Sequence, residues 1–196
     1  DANLCTEKCH ECTHACRIEN NVPLFGDEKI DAYWIRKVTA TPKYIEGAES
    51  IYLPMLCNHC EHAPCEHVCP VAATFTRKDG IVLIDKHRCI GCRYCMIACP
   101  YKARTFVFKK TTKWTNKDVP KRSKGVVEKC NFCVQRIDQQ RLPACVEACN
   151  KTGEKAMIFG NLKDRDSEIS QYLRKYAPKR LREDLGLEPK VFYRGI

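Results

Sequence analysis

Sixteen of the 196 residues are cysteine, and they fall into four groups: Cys5, Cys9, Cys12, Cys16; Cys57, Cys60, Cys65, Cys69; Cys89, Cys92, Cys95, Cys99; and Cys130, Cys133, Cys145, Cys149. Each group holds a tight pair or triplet followed by a final C-x3-C. Disulfides are the ordinary use of an even cysteine count in a small secreted chain. Groups this dense suit compact metal centres better than long-range crosslinks. The length allows one domain, or two small ones closely packed.

The third group reads "CIGCRYCMIACP", a C-x2-C-x2-C-x3-C-P run of the kind that surrounds [4Fe-4S] clusters. Three close cysteines wrap the chain round a cube, with backbone N–H groups aimed at sulfur. The fourth is carried off on a short helix, where Cys95 and Cys99 share a face, toward a neighbouring cluster. Pro100 is expected to stop that helix and Pro70 the one before it. Between these groups "DGIVLID" offers a turn and a β-branched run, a hairpin with residues 73–76, and "RTFVF" at 104–108 reads as another strand.

Paired C-x2-C units also form zinc sites, and "CNFC" with "CVEAC" in the last group fits zinc taken alone. The first group begins C-x3-C-x2-C, the spacing of radical enzymes that use S-adenosylmethionine. Such an enzyme needs a barrel round that site, and the next cysteine group arrives 41 residues after Cys16, which leaves no room for one.

A formal charge of +10 ordinarily points to nucleic acid or an anionic surface. Four thiolates around one oxidised cluster carry +2 − 4 = −2, so four such sites bring the total to +10 − 8 = +2. The basic excess then balances the chain's own cofactors, and no nucleic-acid partner is expected. No run of 18 apolar residues occurs, so no membrane span is expected. The start at Asp1, without Met, fits either a shortened chain or a removed export signal. No phosphate loop, dinucleotide fingerprint or nucleophile elbow occurs, and no C-x2-C-H haem site.

"LCNHCEHAPCEHVCP", "DGIVLID", "RCIGCRYCMIACPY" and "EKCNFCVQRID" with "PACVEAC" resemble the four-cluster ferredoxin-like subunits of membrane-bound respiratory oxidoreductases, over about residues 5–160. Within that family, "CHECTHACRIENNVP" followed by "YWIRKV" is similar to the iron–sulfur subunit of the membrane complex associated with dissimilatory sulfite reductase. The resemblance implies four [4Fe-4S] clusters with exchanged ligands. Cluster one takes Cys5, Cys9, Cys12 and Cys149; cluster two takes Cys16, Cys130, Cys133 and Cys145; cluster three takes Cys57, Cys60, Cys65 and Cys99; cluster four takes Cys69, Cys89, Cys92 and Cys95. Some relatives lack the counterpart of Cys92 and hold three irons there; its presence implies four at every site.

The resemblance further implies a relay of single electrons, with no catalytic site on this chain. The implied partners are a quinone-interacting integral membrane subunit and other redox subunits, such as a multihaem cytochrome c or an iron–sulfur catalytic subunit, in a hetero-oligomeric complex. The implied location is peripheral to the membrane, on its extracytoplasmic (periplasmic) face after export. The alternatives are a zinc-stabilised interaction module and the radical enzyme.

The expected fold is α+β: two interleaved ferredoxin-like modules forming an internal repeat, with short strands, short helices and long loops. An outer module spans 1–16 and 126–162, and an inner one spans 57–108. Residues 17–56 are an insertion with a strand around "YWIRKV", 109–125 a basic insert loop, and 163–196 a helix and extended tail. The outer groups depart from the pattern: one residue extra lies between Cys5 and Cys9, and Arg17 and Asn150 stand where proline follows the inner groups. A strand is expected at "AMIF", after an unusual turn.

Of the histidines, His10, His14, His59 and His62 lie inside or near the cysteine groups, as does His67, with His87 further on. They either hydrogen-bond cluster sulfur or simply pack. The insert carries seven Lys or Arg and offers Trp114 as a docking anchor for an acidic partner or lipid, against the plainer reading of a solvated loop. "SEISQYLRKY" puts Ile169, Tyr172, Leu173 and Tyr176 on one helix face. "GLEPKVFYRGI" either runs along a neighbour or packs back on its own chain.

Overall fold

In the computed structural model, which describes residues 1–41, 47, 49–112 and 114–196, the second half of the first cysteine group is built into a helix. Helix α1, Glu11–Glu19, carries Cys12 and Cys16 four residues apart on its buried face. Strand β1, Ile35–Ala40, realises "YWIRKV" and pairs antiparallel with β2, Ile51–Leu56. The remainder of that insertion, residues 42–46 and 48, lies outside the described residues, as does Lys113 of the basic insert.

The next two cysteine groups are built alike. Helix α2, Pro64–His67, is followed by the expected hairpin of β3, Thr74–Thr76, and β4, Val82–Ile84. Helix α3, Tyr94–Ile97, leads to β5, Arg104–Phe106, which pairs with β6, Val127–Lys129. Both helices are shorter than the sequence suggests. Each ends before the final cysteine of its group, because a residue preceding proline avoids the helical region, so Cys69 and Cys99 stand just beyond α2 and α3.

Helix α4, Val134–Ile137, and helix α5, Ala144–Lys151, carry the last group into contact with α1. The expected strand at "AMIF" does not form. Strand β5 pairs with β6, and Met157 and Phe159 pack on the core, with Phe159 edge-on to Phe132 at 5.5 Å. Apolar runs this short do not distinguish a strand from irregular packed chain.

Helix α6, Glu168–Tyr176, is capped by Ser167, and its expected face is half-buried. The tail folds back on its own chain. Strand β7, Lys179–Arg180, pairs with β8, Phe192–Tyr193, and the Tyr193 hydroxyl donates to the Pro54 carbonyl at 3.2 Å. The Ala2 N–H donates to the Arg194 carbonyl at 2.8 Å, which ties the two ends together.

Among the described residues the sheets are thus four separate antiparallel pairs, with short helices and long loops between them, an α+β arrangement with no barrel of the kind a radical enzyme requires. Among the described residues no helix is long and apolar enough to cross a membrane. The main core is built from cysteines and small apolar residues, with Trp34 and Val82 among them.

Candidate metal centres

All sixteen cysteines are free thiols, and several from distant parts of the chain lie near one another. The Cys12 thiol is pushed up to about 11, first by burial and then by the neighbouring thiols of Cys5, Cys149 and Cys9. Burial and then Cys130, Cys145 and Cys133 hold Cys16 well above its ordinary value. Cys60 is pushed up to about 12 by burial and by Cys57, Cys65 and Cys99. Cys69, Cys89, Cys92 and Cys95 line one small hollow. The sets are numbered as the resemblance numbers their implied ligands.

The sets also touch one another in sequence. Cys145 feels the thiol of Cys12, Cys130 feels that of Cys57, and Arg104 lies between Cys65 and Cys95. Exposure differs among the sets: all four thiols of the second are buried, as are three of the third, whereas Cys5 and Cys9 of the first are half-exposed and Cys92 of the fourth is exposed.

Local backbone explains how the thiols converge. In three of the five C-x2-C pairs, Cys57–Cys60, Cys89–Cys92 and Cys130–Cys133, the residue before the second cysteine is left-handed: His59 (φ 44°), Gly91 (φ 73°) and Phe132 (φ 55°). That turn curls the chain so that N–H groups face sulfur, as where the Phe132 N–H donates to Cys130 Sγ at 3.4 Å. Gly91 is doubly required, since a Cβ there would lie 2.2 Å from the Gly125 carbonyl oxygen. Ala73 N–H donates to Cys69 Sγ at 3.2 Å. Burial pushes the Cys69 thiol up, but hydrogen bonds from Thr74, Val71 and Ala73 outweigh it and the thiol is held below its ordinary value.

The additional residue between Cys5 and Cys9 has a structural use. The loop folds round the Lys37 ammonium, which donates to the carbonyls of Thr6 (3.1 Å), Glu7 and Cys9 (2.8 Å). A cation on β1 thus shapes the entrance to the first set.

Four partners of the thiols escape a reading of the sequence. Asn20, fully buried, donates to the Cys16 carbonyl at 3.2 Å and to Cys133 Sγ at 3.4 Å. Thr74, Arg104 and Lys129 are buried beside the inner sets, Arg104 donating to Thr74 Oγ1 at 3.2 Å. Only the left-handed tendency of asparagine near a helix end hinted at the "NN" after α1. Nothing in the sequence marked the two cations.

His59, the one histidine that is fully buried, accepts from the Val82 N–H through Nδ1 at 3.1 Å and stacks on Phe132 at 3.8 Å. It packs between residues of the second and third sets, with its Nε2 buried and without a partner among the described residues. Trp114 is turned into its own loop: its Nε1 donates to the Val119 carbonyl at 2.8 Å, while Lys117 and Lys121 lie over its ring.

The donor sets fit iron–sulfur clusters. Their ligands are soft thiols, N–H groups already face sulfur, and the fourth set encloses a hollow. Among the described residues no three His, Cys, Asp or Glu side chains converge tightly enough to share one metal ion. A single zinc with bonds of about 2.3 Å would draw four sulfurs to about 3.8 Å of one another.

Residues 48–162 match the 4Fe-4S dicluster domain. The chain belongs to that family. It is 52% identical over 193 residues, 93% of this chain and 71% of the relative, to the Hdr-like menaquinol oxidoreductase iron-sulfur subunit 1 of Archaeoglobus fulgidus. It is 43% identical to a putative dimethyl sulfoxide reductase iron-sulfur subunit of Halobacterium salinarum, over 94% of this chain and 73% of that one. A tetrathionate reductase subunit of Salmonella typhimurium is 40% identical, over 96% of this chain and 68% of the relative. The protein is an iron–sulfur electron-transfer subunit of the kind found in membrane-associated oxidoreductases, and [4Fe-4S] clusters are its cofactors.

Proposed function

We propose that this chain relays single electrons along four [4Fe-4S] sites in the order one to four, between a quinone-reactive integral membrane subunit and a further redox subunit. The ligands are the four cysteine sets given above. The observation that carries this is the gradient of exposure: accessible thiols at the two end sets, buried thiols in the middle. A relay needs contact with partners at its ends and protection from water between them.

A bound [4Fe-4S] cluster supplies a one-electron couple whose potential its surroundings set. The protein's part is to hold neighbouring sites close, through the α1 and α5 cysteines for one and two and through the stacked His59 and Phe132 for two and three. Backbone N–H groups and Asn20 hydrogen-bond the ligand sulfurs and so favour the reduced state. No catalytic site of its own is part of this reading.

The finer assignment is to sulfur or sulfite respiration, alongside the iron–sulfur component of the sulfite-reductase-associated complex, in a hetero-oligomer on the extracytoplasmic face. The relatives named for a menaquinol oxidoreductase and for tetrathionate reductase support the quinone link and the sulfur chemistry. Two interleaved ferredoxin-like modules, inner and outer, remain the proposed domain plan, with the insertion, basic loop and tail as additions.

Anaerobic metal and sulfide analysis with low-temperature EPR of the reduced chain tests the relay. Four clusters require about sixteen iron and sixteen sulfide per chain, with interacting spectra from close neighbours. About four zinc and no iron would leave the zinc-stabilised interaction module instead.

A further inference from the structure

Arg104 and Lys129 stand directly opposite one another on β5 and β6 and are 5% and 3% exposed. Like charges at paired positions of a ladder repel. A buried cation without a counter-charge is among the most unfavourable groups a core can hold. Yet among the described residues neither pairs with a carboxylate. Glu128, the adjacent acid, alternates to the other face of β6, where Arg122 is 3.8 Å away.

The hydrogen bonds these cations make are to neutral groups. Lys129 Nζ donates to the carbonyls of Val82 and of Cys130, the latter at 2.9 Å. Arg104 Nη1 donates to Thr74, while its Nη2 is buried with no partner. What both cations do face is sulfur. Arg104 lies beside Cys65 and Cys57 of the third set and Cys95 of the fourth. Lys129 neighbours Cys65 of the third and Cys130 of the second.

We propose that Arg104 and Lys129 are the built-in counter-cations of the inner sites and make the third site, which both of them face, easier to reduce than it would otherwise be. This rests on the reading of the four sets as [4Fe-4S] sites. An oxidised site of four thiolates carries −2, and the electron delivered by a redox partner makes it −3. A fixed buried cation is attracted more strongly to the reduced site than to the oxidised one. In a dry interior that difference is large, because the attraction is weakly screened. Arg104 acts on sites three and four, Lys129 on two and three.

Redox titration of the cluster-loaded chain, followed by EPR, tests this with Arg104→Gln and Lys129→Gln against Arg104→Lys and Lys129→Arg. Each Gln variant is expected to make two of the four sites at least tenfold harder to reduce, 59 mV for one electron. The first site should not move, and the charge-conserving variants should stay within threefold of the parent. Loss of iron from the Gln variants alone, with full loading of the charge-conserving pair, would equally mark the cations as the counter-charge. Unmoved potentials in iron-loaded Gln variants would overturn the proposal. So would equal shifts at all four sites, or loss of iron from the charge-conserving pair. A parent chain that holds no iron would instead refute the relay reading on which the proposal rests.

Discussion

The inner cysteine groups, residues 57–69 and 89–99, and the outer ones, 5–16 and 130–149, end in the same C-x3-C but are built differently. In the inner groups a four-residue helix stops ahead of Cys69 or Cys99. A proline follows, and the chain turns left-handed three residues past the cysteine, at Ala72 (φ 48°) and Lys102 (φ 49°), before entering a strand. In the outer groups no proline intervenes. Helices α1 and α5 run on to Glu19 and Lys151, and their contact is among the most extensive in the molecule. The inner sets are therefore held by turns and hairpins, the outer sets by packed helices. Arg136 on α4 clamps the latter, pairing with Glu19 of α1 at 3.0 Å and with Glu147 of α5. One residue type after the last cysteine decides which construction is used.

Removal of iron should abolish the distinction altogether. Without metal the buried thiols stay protonated, Cys12 at about 11 and Cys60 and Cys130 at about 12, so Arg104 and Lys129 lose every anion near them. Cluster insertion and folding are then one event. Anaerobic chelation should erase far-UV helix signal and make all sixteen thiols titratable together. A chelated chain with parental circular dichroism contradicts this.

Arg17→Pro imposes the inner pattern on an outer group. It breaks α1 in its interior, and it removes the side-chain hydrogen bonds to the Pro23 and Ala32 carbonyls at 3.2 and 3.4 Å. A loss of about 3 kcal/mol or more in denaturant unfolding is expected. Pro100→Ala, the reverse change, should stay within about 1 kcal/mol.

The strand pair β5–β6 separates cations on one face from Glu128 on the other. Burial raises the Glu128 carboxyl to about 7 from 4.5, against the pull of Arg122. Its neutral form is the one the fold favours, so its contribution is complete below about 4.5 and is lost as pH rises through about 7. Glu128→Gln should flatten the stability profile across that window, by up to roughly 3 kcal/mol. An unchanged slope between pH 5 and 8 would dismiss Glu128 as its source.

Glycines sharpen the contrast most finely. Gly91→Ala in an inner loop meets both a left-handed backbone and the Gly125 carbonyl, and should destabilise by about 2 kcal/mol or more. Gly153→Ala, after α5, is equally left-handed (φ 87°) but meets nothing within 4 Å, so about 1 kcal/mol is expected. Equal midpoint shifts in urea would mean the close approach at Gly91 relaxes freely.

Spacing made the inner groups legible from the sequence. The hairpin after Cys69 announced itself through Asp79–Gly80 and the β-branched run, and α6 through its apolar face. Strands β2 and β6 were not legible. Pro54 interrupts the apolar character of the first, and the second is three residues, two of them charged. The strand expected at "AMIF" does not form, and Met157 and Phe159 pack on the core instead. Arg104 and Lys129 were invisible for a general reason: lysine and arginine are surface residues by default, and only three-dimensional proximity to sulfur makes burial tolerable. The use of the residue between Cys5 and Cys9 was hidden likewise, because Lys37 comes from a different element.

The contact of α1 with α5 also has a consequence in time. Helix α1 leaves the ribosome well before the helix that covers it, which begins at Ala144. For most of synthesis, then, Cys12 and Cys16 have no lid, while the inner hairpins, complete by Lys129, can already close. Those two thiols wait longest for their cover, and a chaperone that shields them would have the longest watch to keep.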